Sequence, residues 1–263
     1  EFIGRNPTDA VYITYYMKKR HIFGDMYMEI YDPEGEKLAE IPAGKRKGIN
    51  REAWTPREKP PKVPVSNTLA GGAFFGPTYL PGNYTVKIIK GEDEYKGKVS
   101  LKFDPDLPHS EEDRELQLMT LRKAYRMLED LAFVDAKVNG VIADVKEVAE
   151  NEETRASIRK KLDAYAGKLE QLRKEMVATR MGGITGEEQL REKISNIYGA
   201  VMRYYGKPTQ SQVDRLEVLE IELDKKASEA DLLLGELENI NKLVAKTGND
   251  PIQVISLEEF KEE

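Results

Sequence analysis

At Asp104-Pro105-Asp106-Leu107-Pro108 the hydrophobic period of this chain changes. Upstream, short runs rich in β-branched and aromatic residues alternate between apolar and polar positions, the signature of half-buried strands. Downstream, apolar residues recur every three or four positions, the signature of amphipathic helices. A chain built this way needs two separate cores, and we read it as a β-rich domain over 1–104, a helical domain over 105–248 and an acidic tail over 249–263.

Composition supports the division. Residues 1–103 carry 17 Lys+Arg against 13 Asp+Glu, whereas the remainder carries 24 against 34. The first part also holds 14 of the 21 aromatics and 9 of the 13 prolines. Its strands are expected at Val11–Tyr16, Met26–Tyr31, Lys37–Ile41, Ile49–Trp54, Tyr84–Ile89 and Tyr95–Phe103. Turn chemistry separates them at Asp32-Pro33-Glu34-Gly35 and Gly91-Glu92-Asp93. Five to seven such strands predict a small Ig-like β-sandwich. After Ser110, whose hydroxyl starts a capping box with Asp113, helices are expected over 111–149, 152–180, 187–204 and 210–246. Short loops between them predict an antiparallel four-helix bundle. The tail beyond Gly248 is expected to fray.

Several chemistries lack their residues. The chain has no Cys and only His21 and His109, far apart and without a second ligand at helical spacing, so no metal site is expected. There is no Gly-x-Ser-x-Gly elbow, no phosphate loop and no calcium loop, so no catalytic residue and no cofactor are assigned. Carboxylate pairs such as Glu152-Glu153 and Glu187-Glu188 complement helix N-termini. The overall net charge of −6 argues against a nucleic-acid partner. Lys18-Lys19-Arg20 and Lys45-Arg46-Lys47 read as two solvated turns. No apolar run approaches the length of a membrane span. The opening Glu1-Phe2-Ile3-Gly4-Arg5-Asn6-Pro7 has neither an initiator Met nor a signal-peptide pattern, so we expect a fragment or a processed product.

One loop stands out. Between Trp54 and Pro81 lies a long Pro-rich stretch, and within it Gly71-Gly72-Ala73-Phe74-Phe75-Gly76-Pro77-Thr78-Tyr79 places three aromatics where no strand can form. Either Phe74, Phe75 and Tyr79 fold back over the sandwich edge, or they form a docking surface for a neighbouring domain. We take them as the candidate binding residues.

The order Met28-Glu29-Ile30-Tyr31-Asp32-Pro33-Glu34-Gly35, Trp54, Leu80-Pro81-Gly82-Asn83-Tyr84-Thr85-Val86 resembles the small Ig-like module of the flagellar hook-capping protein type. The longer run adds three segments: Lys18-Lys19-Arg20-His21-Ile22-Phe23-Gly24-Asp25, Gly44-Lys45-Arg46-Lys47-Gly48-Ile49-Asn50-Arg51 and Leu69-Ala70-Gly71-Gly72. It is similar to the C-terminal region of large bacterial exported proteins with sortilin-like, BNR-repeat β-propellers, often labelled glycosyl hydrolases. The resemblance covers about residues 1–135. It implies a periplasmic or extracellular location and an upstream β-propeller of the same protein as partner, with another protein or a glycan as further possibilities. The propeller itself is absent, so no catalytic residue carries over. The expected function is a non-catalytic accessory or docking module. The alternatives are a substrate-binding part of a carbohydrate-processing hydrolase and a self-assembling helical adaptor.

Overall fold

The computed structural model describes residues 9–66, 68, 72–106, 108–179 and 187–262. The chain divides into two compact units, one of Glu1–Lys59 and Pro77–Glu111, the other of Pro60–Gly76 and Glu112–Glu263. The Pro-rich stretch is thus split: residues 60–76 belong with the helices rather than with the strands that flank them in sequence.

The first unit contains β1 (Val11–Met17), β2 (Met26–Tyr31), β3 (Lys37–Pro42), β4 (Gly48–Trp54), β5 (Gly82–Lys90) and β6 (Asp93–Leu101). β1 and β4 form a two-stranded antiparallel sheet, and the other four form an antiparallel sheet in the order β3-β2-β5-β6. The turn after β2 closes as its residues require. Asp32 accepts from Glu36 N–H through its side chain at 2.7 Å, and Gly35 takes φ +94°, a left-handed conformation open to glycine. Met28, Ile30, Trp54, Tyr84 and Val86 make the buried centre, with Val11, Ile13, Tyr15 and Met17 packed against it from alternate positions of β1.

The expected Ig-like sandwich is not what forms. A seven-stranded Ig sandwich places three or four strands in each sheet, whereas the six strands among the described residues divide two and four. The cause lies between β4 and β5. Apart from one bridge between Arg57 and Thr78, the described residues of that stretch add no strand, because residues 60–76 leave for the helical unit. Among the described residues β1 and β4 therefore gain no third neighbour.

The second unit contains α1 (Glu111–Glu150), α2 (Ala156–Met176), α3 (Leu190–Arg203), α4 (Gln210–Gly235), α5 (Leu237–Val244) and α6 (Leu257–Glu262). Its core runs through Leu128, Leu131, Val138 and Val145 of α1, Leu162, Leu169 and Met176 of α2, Ile194 and Tyr198 of α3, and Leu219 and Ala230 of α4. These are the stripes read from the three-four spacing. Thr209 caps α4 by accepting from Gln212 N–H, while the Gln212 side chain accepts from Thr209 N–H at 2.9 Å.

The expected four-helix bundle is also corrected. The apolar period runs unbroken through 210–246, but the helix breaks at Gly235-Glu236. Glu236 N–H tightens onto the Leu233 carbonyl at 3.0 Å, and the Tyr165 hydroxyl donates to that same carbonyl at 3.0 Å. Glycine's low helix propensity and a competing donor together end α4 there. Nor does the tail fray. Asn241 clamps Ile252, accepting from its N–H at 2.9 Å and donating to its carbonyl at 3.0 Å. Phe260 is buried with its ring 5.4 Å from Phe133. Ser256 and Glu259 cap α6 reciprocally. Among the described residues no helix is long and apolar enough to cross a membrane.

Candidate functional site

The described residues of the segment 60–76 lie on the helical unit as a strap, fastened both by its carbonyls and by the side chains of Lys62, Ser66 and Thr68. Arg191 Nε donates to the Pro64 carbonyl at 2.8 Å, and Arg173 Nη2 donates to the Val65 carbonyl at 2.8 Å. Arg191 Nη2 donates to the Thr68 carbonyl at 3.1 Å, and the Thr68 hydroxyl donates to Glu192 at 2.7 Å. Ser66 donates to the Ala178 carbonyl at 2.7 Å. At the near end, Lys62 N–H donates to Glu129 at 2.8 Å while its ammonium donates to the Phe260 carbonyl and lies over the Phe260 ring. Proline removes competing donors from this stretch and holds it extended, so its carbonyls stay free for arginine.

Of four charges beneath the strap, Asp135, Arg191 and Glu192 are buried and Arg173 is partly so. Arg191 pairs with Glu192 at 2.6 Å, and Arg173 pairs with Asp135 at 2.7 Å. Such pairs are stable only when the remaining donors and acceptors find partners. The strap carbonyls and the Thr68 hydroxyl supply them for both arginines and for Glu192. Burial nevertheless holds the Asp135 carboxyl above the usual carboxylate range, against the opposing pull of Arg173.

At the far end the strap touches α3 backbone to backbone. A Cβ at Gly72 would lie 2.0 Å from the Ser195 carbonyl oxygen, and one at Gly199 would lie 2.6 Å from Gly72 Cα. Two glycines are needed for this approach. Ala73 joins the helical core, and the Tyr198 hydroxyl donates to the Phe75 carbonyl at 2.6 Å. The backbone of Phe74 and Phe75 is thereby fixed on both sides, yet the two residues are 58% and 63% exposed.

The three aromatics of the sequence motif are not brought together. Phe74 and Phe75 stand exposed on the strap, whereas Tyr79 lies in the first unit. There its ring stacks at 6.0 Å on Trp54 and lies 6.1 Å from Tyr84. Its N–H donates to the Pro56 carbonyl at 3.0 Å. Gly71, which opens the motif, lies outside the described residues. The anchoring residues Arg191, Glu192, Tyr198 and Gly199 carry no motif that would have marked them. Arg191 and Glu192 look like ordinary first-turn charges, and Gly199 like a tolerated helix glycine.

Among the described residues, no three His, Asp or Glu side chains gather as metal ligands would. Comparison with protein-family models, with curated proteins and with solved structures finds no match for this chain.

Proposed function

We propose that this chain is a non-catalytic docking module, and that Phe74 and Phe75 are the side chains it offers to a β-propeller domain of the same polypeptide. The observation that carries the reading is two adjacent, largely exposed phenylalanines on a backbone held by buried contacts on either side. Aromatic anchors of this kind dominate binding energy when a partner covers them. A pre-fixed backbone avoids the ordering cost that a loose loop would incur on binding. The choice of a propeller as partner, and a periplasmic or extracellular setting, rest on the similarity of residues 1–135 to the region that follows BNR-type propellers in exported bacterial proteins.

The alternatives draw less support. A sugar-binding platform would use the outward tyrosines of β1, but Arg51 already covers the Tyr12 ring at 3.9 Å. A self-assembly seam on α4 would run through the exposed Val218, Ile221 and Leu232, but Lys225 and Ser228 interrupt that stripe. The proposal is tested by reading the sequence encoded upstream of Glu1 and titrating the propeller found there with this chain in a calorimeter. Saturable binding with a negative heat-capacity change is expected. The absence of an upstream propeller, or of any heat of binding to it, would overturn the assignment.

A further inference from the structure

The two basic runs, separated by 24 residues in sequence, come together in space. β1 and β4 pair with Met17 opposite Gly48, so Lys18-Lys19-Arg20 leaves β1 at the same end of the sheet where Lys45-Arg46-Lys47 enters β4. A hydrogen bond from His21 N–H to the Lys45 carbonyl at 3.0 Å ties the two runs directly. Lys18, Lys19, Arg20, Arg46 and Lys47 are exposed, and none of them makes an ion pair among the described residues. The chain as a whole is acidic, with a net charge of −6. This end of one small sheet is its opposite.

The cations are displayed by a built turn. Buried Asn50 accepts from Arg46 N–H at 3.2 Å and donates to the carbonyls of Arg46 at 2.8 Å and Gly48 at 3.2 Å. Tyr15 donates its hydroxyl to the Gly44 carbonyl at 2.5 Å. The Lys45 ammonium is spent on the Gly24 carbonyl at 2.8 Å, which braces the neighbouring loop from below. The backbone carbonyl of Asp25, at the far side of that loop, accepts from Gly91 N–H at 3.2 Å. At the tip of this braced loop Ile22 and Phe23 are 68% and 85% exposed. The cross-strand pair Tyr16 and Ile49, also exposed, sits at the same end of the sheet.

We propose that this end of the β1–β4 sheet is a peripheral membrane-binding tip, in which Ile22 and Phe23 enter the interface of a bilayer and the two basic runs contact its anionic phosphate headgroups. The charge is complementary to an anionic surface, and cationic side chains beside an inserted apolar group are the recurring arrangement of interfacial binding. A nucleic acid would present the same charge, but it needs flat faces for stacking. Half of the exposed apolar residues here are isoleucines, which have no such face and partition into lipid. The surface belongs to the first unit and does not involve Phe74 or Phe75, so it stands or falls independently of the docking reading.

The test is co-sedimentation of the full chain with two kinds of vesicle, phosphatidylcholine alone and phosphatidylcholine with about one-third phosphatidylglycerol. Binding is expected only to the anionic vesicles, and is expected to fall steeply as salt shortens the screening length from about 8 Å at physiological strength to about 3 Å at 1 M. Arg46→Glu/Lys47→Glu should weaken it by at least roughly 25-fold, about fivefold for each cation removed. Lys18→Glu/Lys19→Glu, outside the Asn50-closed turn, should do the same, so a folding defect in either variant leaves the other decisive. Ile22→Ser/Phe23→Ser should also weaken binding, with an unchanged thermal melt. In Phe23→Trp the added indole should shift its emission to the blue on anionic vesicles, because Trp54 is already buried and contributes a constant background. Failure to bind anionic vesicles, equal binding to neutral ones, or no effect of the Ile22/Phe23 change would overturn the proposal. So would binding of a single-stranded oligonucleotide in the absence of any vesicle binding.

Discussion

Gly140 and Gly199 both lie inside helices, and replacing each by alanine separates helix propensity from the seating of the strap. An added methyl in a helix interior gains about 0.8–1 kcal/mol through propensity alone. At Gly140, in α1, a Cβ meets nothing within 4 Å, so the full gain should appear. At Gly199, in α3, the Cβ would lie 2.6 Å from Gly72 Cα, a backbone atom that cannot rotate aside. Overpacking of that kind costs about 1–3 kcal/mol. Gly140→Ala should therefore stabilise, and Gly199→Ala should be near neutral or destabilising by up to about 2 kcal/mol. Urea denaturation followed by circular dichroism measures both midpoints. Hydrogen exchange should place the loss at Gly199 in the strap, with amides near Phe75 exchanging faster than in the wild type. If both variants stabilise equally, the strap is not seated on α3, and the reasoning about Phe74 and Phe75 fails with it.

Three further outcomes follow from the packing. Leu128 is fully buried in α1, and Leu128→Ala should cost about 2–5 kcal/mol by cavity formation, read from the urea midpoint; a loss below about 0.5 kcal/mol would mean that the face of α1 is misassigned. A chain beginning at Pro105 lacks the strap and with it the carbonyl partners of Arg173 and Arg191, so its helical transition should melt earlier than that of the full chain; coincident midpoints would show that residues 60–76 add no stability. Because burial raises the Asp135 pKa in the folded state, the stability associated with its protonated form is present at low pH and lost as pH rises through the folded pKa; the wild type should lose stability relative to Asp135→Asn as pH climbs above the ordinary aspartate value of about 4, and a parallel pair of curves would contradict this.

Local signals were legible in the sequence, and long-range ones were not. β2 begins and ends where its β-branched and aromatic run does, and α1 covers the whole of the expected 111–149 and one residue more. The division of six strands into sheets of two and four was hidden, because alternation reports which face of a strand is buried and not which strand lies beside it. The continuous helical period across Gly235 concealed a break set by a distant tyrosine, Tyr165. Acidic composition masked the docked tail, although Ser256-Leu257-Glu258-Glu259 is a readable capping signature. The Pro-rich stretch was recognisable as unusual. Its attachment to α3 could not be seen, since the contacts join backbone carbonyls to arginines more than a hundred residues away. Grouping Tyr79 with Phe74 and Phe75 followed their nearness in sequence, but the chain passes from one unit to the other between Gly76 and Pro77.

The central claim is that Phe74 and Phe75 bind a partner while contributing little to the fold, and paired variants test it directly. Phe74→Ser/Phe75→Ser and Tyr79→Ser should each be titrated against the propeller domain and melted in parallel. The double variant should lose binding while its stability stays within about 0.5 kcal/mol of the wild type, as expected for exposed positions. Tyr79→Ser, which removes a ring stacked on Trp54, should lower the stability of the first unit by about 1–3 kcal/mol. Full binding by the double variant, or a loss of stability in it as large as that of Tyr79→Ser, would contradict the account.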